Sequence, residues 1–581
     1  MRKLFNIFIL GTVLLTSSCK KFLDVNTNPN SPTSSTPNIV LPAAIVQVAS
    51  AMTSYDDFGG WTGGFKANAG GYGGWGTVWT YNFTTNDYSG MWSSSFSAIN
   101  QLNFVINNTT ADGPLKFYNA QARIMKAFIY AKLVDQYGDV PYSDAGQGLN
   151  KLNPKYDKYQ DVYKAIFAEL NAGIAIMNTP AVTNVTTPVT AGQDPFGGGS
   201  SAAGLTKWKQ FAQTVKLKML IRAQKVADLA SWVATSKATL ATAVGDYLTD
   251  DAIVQPGYSA TTASQFNPQW STYGWNSAGT STGTGLSNLP TKWAVSFYNG
   301  GKYTDDVRGR LMYKSYGTSI TQSIAGSNFV IPSGPAANQL GYDTEPVPRS
   351  ISGSYWYSGA LTGTAANAGT TVGGVLKGAT MPQVLLTLAE TKFLLAEASL
   401  ASVNLVAGVT NTFYEDGITA SYTYLYKGAS YTWANPVTTA SLALTASQTP
   451  TTITAAKTAY IAANPNATVT DGNGKIIKAV VDLSKATTDE ERLAAIITQK
   501  YLAVHMINSE EAFNEYRRTG YPGVVGGSTD PIQTYASLKS AAPAADKLPT
   551  RVLYPAVEFQ VNTENVPKGI SPLTTKIFYA K

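Results

Sequence analysis

Three stretches combine flat rings with amide and carboxylate side chains in Gly/Ser/Thr-rich surroundings. GGYGGWGTVWTYNFTTNDY (residues 70–88) carries Tyr72, Trp75, Trp79, Tyr81, Asn86 and Asp87. SQFNPQWSTYGWNS (264–277) carries Gln265, Asn267, Gln269, Trp270, Tyr273, Trp275 and Asn276, and SGSYWYSG (352–359) adds Tyr355, Trp356 and Tyr357. A pyranose offers an apolar C–H face and a rim of hydroxyls. A rigid aromatic covers the first at low entropic cost, and amides or carboxylates pair with the second. The candidate ligand contacts are therefore Trp270, Tyr273, Trp275, Trp356, Asn267, Gln269, Asn276, Trp75 and Trp79. The competing reading is that large rings pin long loops to the body of the fold. For Trp75, Trp79 and Trp92, close to the first helices, that reading is the stronger; for Trp270, Tyr273, Trp275 and Trp356 the two stand level.

Hydrolytic designs are scarce here. The chain has one histidine, His505, and one cysteine, Cys19. That excludes a multi-histidine metal site and leaves little room for a histidine-based triad. His505 lies in the apolar helical stretch KYLAVHMINSEEAF and reads as structural. A glycosidase built on two carboxylates needs no histidine, and Asp56-Asp57 and Asp305-Asp306 are its candidates. Charged residues make up 14% of the chain and the formal net charge is +7, with no dense basic run, which speaks against a nucleic-acid partner. No catalytic residue, cofactor or metal site is expected.

The lone cysteine has its own logic. Arg2 and Lys3 precede the apolar run Leu4–Leu15, which at twelve residues is shorter than the roughly 20 that span a bilayer. Small residues Thr16, Ser17 and Ser18 then lead directly to Cys19, an export signal ending where a thiol can be acylated. Residues 1–18 are read as a lipoprotein signal and 19–36 as a tether, since Pro29, Pro32 and Pro37 oppose helix. Two or more acyl chains would hold the protein stably at a membrane surface. No later stretch is expected to span one.

The elements that must position the rings are helices. Ala122, Met125, Ile129 and Leu133 share one face of a segment stopped by Gly138 and Pro141. Trp208, Phe211, Val215 and Met219 repeat the pattern. Leu385, Ala389, Phe393, Ala396 and Leu400 do so in a helix read from Met381, with Pro382 in its first turn. Residues 156–174 and the whole of 491–522 also read as helix. Between them lie long loop-like stretches at 55–92, 180–205, 255–290, 313–380 and 430–475, and loops of that length are usually functional. DGNG at 471–474 reads as a hairpin turn.

Taken in order, CKKFLDVNTNPNSPT, ARIMKAFIYAKLVDQYGDVPYSDA, KYDKYQDVYKAIFAEL, KWKQFAQTVKLKMLIRA, MPQVLLTLAETKFLLAEASL, YEDGITASY, QKYLAVHMINSEEAFNEYRRTGYP and LPTRVLYPAVEFQVN resemble the SusD/RagB family of outer-membrane nutrient-binding lipoproteins, in the subgroup with an NxNP start. The resemblance implies a mainly α fold: a superhelix of tetratricopeptide-like helical pairs with long loop-rich insertions and short β-hairpins. It implies one such domain over 37–581, its variable ligand-binding part at about 230–380 and 402–480. It also implies a lipid-anchored protein facing the cell exterior, which captures a glycan, or in some relatives a peptide, for a SusC-like TonB-dependent transporter. Arg123, Glu390, Glu397, Arg517 and Arg518 fall in motifs shared across different ligands, so they read as ion-pair scaffold rather than ligand contacts.

Overall fold

The computed structural model describes residues 35–68, 76–180, 186–276, 278, 282–313, 320–324, 327–331, 374–428 and 453–581. Cys19, Trp75 and Trp356 lie outside them. The chain opens with α1 (Pro37–Thr62), Pro37 sitting at the start where a missing N–H is harmless. There follow β1 (Lys66–Asn68), α2 (Ser89–Asn107), α3 (Lys116–Tyr137), α4 (Tyr159–Asn178) and α5 (Ala202–Ala223). Each of these helices packs on the next, and α3 on α5 as well. The predicted face of α3, Ala122, Met125, Ile129 and Leu133, is fully buried. Gly138 ends that helix at φ +75°, its N–H donating to the Val134 carbonyl at 2.9 Å.

The middle of the chain contributes β2 (Ala252–Val254), α6 (Pro268–Tyr273) and β3 (Asn288–Pro290). The last part holds β4 (Gln383–Leu386), α7 (Leu388–Ala398), α8 (Thr410–Tyr426), β5 (Val469–Thr470), β6 (Ile476–Lys478), α9 (Asp489–Val504) and α10 (Glu510–Thr519). α7 packs on α8, α9 and α5, and α10 returns to α1, so the helical pairs share one core. The DGNG turn joins β5 to β6 as read from the sequence. The fold is mainly helical, with two-stranded ribbons only among the described residues.

Four sequence expectations change. The helix read from Met381 starts at Leu388. Gln383–Leu386 is instead a fully buried strand paired with β2, and Thr387 caps α7 by accepting the Glu390 N–H at 3.0 Å. A short apolar run has no period of its own to tell buried strand from helix. The helix read through 491–522 breaks at His505–Ser509, where Met506 adopts φ +54° and its N–H donates to Ser509 Oγ at 3.1 Å. There Gly59 of α1 meets the start of α10 so closely that a Cβ would lie 1.9 Å from the Glu510 nitrogen. The loop stretches 55–92 and 430–475 contain helix at Gly76–Thr80 and Ile453–Ala463, and the ends of α1 and α2. Lastly, α1 is long and apolar enough to cross a membrane by length and composition. Here it packs on α2, α3 and α10, with Leu41, Ile45, Val48 and Tyr55 fully buried.

Where the helical pairs meet, they enclose an ion network. Lys218 Nζ lies 2.8 Å from Glu390 and 2.6 Å from Glu511, and Arg222 reaches Glu511 at 2.7 Å and also Asp135. Lys500 pairs with Glu515 at 2.8 Å, while Arg518 joins Glu515 to Glu397, the latter at 2.6 Å. Against the cost of burial, Arg222, Lys218 and Lys132 hold Glu511 well below the usual carboxylate range. Burial, with Glu511 alongside, pushes Glu510 up despite its pair with Lys132. Glu390, Glu397 and Arg518 are thus scaffold, and half-buried Arg123 pairs with Glu169. Arg517 differs: it donates to Gln136, Asn514, Tyr579 and the carbonyls of Asp135 and Thr550, with no carboxylate within ion-pair distance among the described residues.

Candidate functional site

Two ring-bearing stretches that are far apart in sequence adjoin one β-ribbon. β1 and β3 pair antiparallel, Asn68 opposite Asn288, and Thr291 extends the ribbon by donating to the Phe65 carbonyl at 3.1 Å. The chain therefore departs towards Trp75 beside the point where it arrives from Trp275. Phe65 stacks on His505 at 4.1 Å, and His505 meets the Tyr313 ring at 5.8 Å. Tyr313 is where the chain sets out towards Trp356. After that stretch, the Gly374 N–H donates to the Leu425 carbonyl at 2.6 Å and the Val375 N–H to the Leu311 carbonyl at 3.2 Å. Lys377 locks this junction by donating to the carbonyls of Gly374, Tyr424 and Lys427 at 2.7, 2.7 and 2.9 Å. Phe65, which precedes the first stretch, and Tyr313, which precedes the third, thus meet at His505.

Next to the β1–β3 ribbon lies a polar cluster built by α1, β1 and α6. Lys66, fully buried, passes over Gly60, where a Cβ would meet Lys66 Cε at 2.1 Å. Its ammonium donates to Asp57 Oδ1 at 2.7 Å and to the Tyr273 hydroxyl at 2.5 Å, and lies 4.9 Å from the Trp61 ring. The Tyr273 hydroxyl in turn donates to Asp57 Oδ1 at 3.3 Å. Asp57 is 45% exposed, and its Oδ2 has no partner among the described residues. The result is a carboxylate with one oxygen fixed by two donors and the other offered outward, an acceptor pre-organised for hydroxyl or N–H groups. Half-buried Tyr88 packs beside it, edge-on to Phe58 at 5.0 Å.

The expected ligand contacts divide sharply. Trp270, Tyr273, Trp275, Asn267 and Gln269 are all buried, Trp270 and Asn267 completely. Trp270 and Trp275 lie against each other at 5.4 Å. Asn267 is the N-cap of α6, accepting the N–H groups of Gln269 and Trp270 at 2.9 and 3.1 Å, and Gln269 donates to the Met506 carbonyl. These five hold the segment to the body and present no ring face to solvent. The reason is local: Pro268 and the Asn267 cap start a helical turn that rolls the rings under, an effect that Gly/Ser-rich flanks conceal. Asn276 is exposed and Trp79 half-buried, its Nε1 without a partner among the described residues. Sequence reading weighed Asp57 only as a possible acid; the signal it lacked was Lys66, whose cation fixes the carboxylate.

For the acid–base alternative, Asp305 is buried, caps its own helix and is bound by Arg308 and Tyr422. Asp56 is buried and accepts the Ser509 N–H at 2.8 Å. Among the described residues no cluster of three or more His, Cys, Asp or Glu could hold a metal ion. His505 is fully buried between Phe65 and Tyr298, and burial pushes its pKa down to about 3. It is neutral in the fold but charges near 6.5 when unfolded, so the stability it contributes is present above 6.5 and lost as pH falls towards 3. Between pH 7 and 5, the native protein is expected to lose about 2 kcal/mol more than His505→Phe, read as the difference of urea midpoints at the two pH values. Equal losses would show that His505 does not titrate this way.

Residues 29–278 match the family model described as starch-binding, associating with the outer membrane, and residues 359–577 match that of the SusD and RagB outer-membrane lipoproteins. The chain belongs to the SusD/RagB family. Among solved structures it is similar to a SusD homologue from Bacteroides uniformis, at 22% identity over 93% of this chain and 99% of that one, TM-score 0.61. It is also similar to a chitin-binding SusD homologue from Flavobacterium johnsoniae, at 17% identity over 93% and 98%, TM-score 0.60. A further structure titled a chitin-binding protein shares 21% identity over 94% of this chain and all of that one, TM-score 0.59. No curated protein matches the sequence.

Proposed function

We propose that the protein is a cell-surface lipoprotein that binds an oligosaccharide or polysaccharide without cleaving it and passes it to a SusC-like TonB-dependent transporter. The observation that carries this reading is a partly exposed Asp57 carboxylate, fixed by Lys66 and Tyr273, beside the β-ribbon from which the stretch containing Trp75 continues. It is supported by one family model that names starch binding and by two similar structures titled as chitin-binding. Trp75, Trp79, Trp356 and Asn276 are the proposed ring and amide contacts. Cys19 is the proposed lipid anchor, which would face the protein outward on the outer membrane.

The test is affinity electrophoresis of the protein in gels containing neutral glycans, chitin oligosaccharides among them, alongside a reducing-end assay. Retarded migration without product is expected. Asp57→Asn is expected to weaken binding about 10- to 100-fold, the range of about 1.5–3 kcal/mol for a hydrogen bond to a charged group. Retention by peptides and by no glycan would transfer the site to peptide capture, which the same architecture could serve by reading backbone groups. Released reducing ends would instead make it a hydrolase.

A further inference from the structure

Lys132 of α3 and Asn508 of the break between α9 and α10 are 376 positions apart in the chain, yet the Lys132 ammonium donates to Asn508 Oδ1 at 3.1 Å. On its far side Asn508 Nδ2 donates to Glu390 Oε2 at 3.3 Å, so the amide is held with its oxygen towards the lysine. Glu510 also accepts from the Lys132 ammonium, and its Oε2 is buried without a hydrogen-bond partner among the described residues. Lys132, Asn508 and Glu510 are all buried, with the Tyr55 and Phe128 rings 5.8 and 5.7 Å from the ammonium. The backbone here has little slack. The Ser509 N–H donates to Asp56 at 2.8 Å, and Gly59 packs against the Glu510 nitrogen.

An amine, a carboxamide and a carboxyl group held in contact can exchange the amide nitrogen, because fixed proximity replaces the encounter that makes this reaction slow in solution. Moving the proton from the Lys132 ammonium to Glu510 replaces two buried charges by two neutral groups, which a site away from water favours. The other carboxylate at hand, Glu511, lies 3.5 Å from Lys132 and is already taken by Lys218 and Arg222 at 2.6 and 2.7 Å. Burial, with Glu511 alongside, pushes the Glu510 pKa up to about 7, the direction expected of a carboxyl that holds a proton.

We infer that Lys132 and Asn508 join in an intramolecular isopeptide bond, with Glu510 carrying the protons. The neutral Lys132 Nζ attacks Asn508 Cγ, one bond beyond the oxygen that it contacts. An Nζ–Cγ bond forms and the Cγ–Nδ2 bond breaks. Glu510 gives its proton to the leaving nitrogen and takes one back from Nζ, so ammonia departs and a protonated Glu510 remains beside the new amide. No oxidant or co-reactant enters. The bond ties α3 to the start of α10 and restricts how far the helical pairs can separate in the unfolded chain. None of the residues assigned to glycan capture takes part, so either reading can fail without the other.

The test uses the full chain, purified folded and denatured only for mass spectrometry. Its mass is expected to fall one ammonia short of that of the linear chain, and trypsin is expected to release a branched peptide joining residues 127–151 to 501–517. Glu510→Gln and Asn508→Ala, each checked for a native near-ultraviolet circular dichroism spectrum, are expected to lose the branched peptide completely. Linear peptides alone from the wild-type protein overturn the inference, whatever the variants do. A missing ammonia without the branched peptide marks cyclisation at an Asn-Gly step such as Asn473-Gly474 and overturns it as well. A branched peptide undiminished in folded Glu510→Gln overturns the role given to Glu510.

Discussion

Replacing Glu511 with alanine is expected to destabilise the protein by about 3–5 kcal/mol, the range for breaking a buried ion pair, read as a fall in the urea midpoint. Glu511 is 1% exposed and sits where three helices meet. Its carboxylate takes Lys218 of α5 at 2.6 Å, Arg222 of α5 at 2.7 Å and Lys132 of α3 at 3.5 Å. None of these cations can turn to water, so each keeps its desolvation cost while losing part of the field that offsets it. Lys218 retains Glu390, and Arg222 retains Asp135 and a longer contact with Glu515 at 3.5 Å. The loss is therefore shared across the network, and a companion Glu397→Ala should be less than additive with Glu511→Ala, because Glu515 couples the two through Arg222 and Arg518. A midpoint shift equivalent to under 1 kcal/mol would mean the network does not stabilise the packed helices.

Trp270→Ala is expected to cost about 3–5 kcal/mol through the cavity it leaves, while the folded variant keeps its affinity for glycan. Trp270 is fully buried. Its ring lies 5.4 Å from Trp275, and a Cβ on Gly274 would meet it at 2.8 Å, so the neighbouring backbone is already in contact with it. Smaller side chains cannot fill that space without moving Trp275 and the turn at Gly274. Collapse of α6 would also shift Tyr273, and with it one of the donors on Asp57. Affinity should therefore be measured at low temperature on the folded fraction. Lost binding at an unchanged urea midpoint would mean instead that the Trp270 ring faces ligand in solution.

These two effects locate the boundary between what was legible in the residues and what was not. The α3 face and its stop at Gly138, the hairpin at 471–474 and the helical character of the scaffold were readable because each rests on local periodicity or on one residue's backbone freedom. The scaffold reading of Glu390, Glu397 and Arg518 was sound for a related reason: charged residues set within apolar helical faces have nowhere to go but to one another. The strand at Gln383–Leu386 and the break at Met506 were missed. Their causes, pairing with Ala252–Val254 and close approach to Gly59, come from elsewhere in the chain.

By itself the sequence determined a chain of helical pairs, the ring-rich segments between them and the family to which they belong. Only the tertiary structure decided which rings face inward and that Lys66 fixes Asp57. A tryptophan in a Gly/Ser-rich segment has the same local signature whether it covers a sugar or fills a core. Its exposure is set by what packs over it, and for Trp270 and Trp275 that includes α6 and each other's rings. Periodicity is encoded within a dozen residues; burial is a sum over contacts between residues hundreds apart.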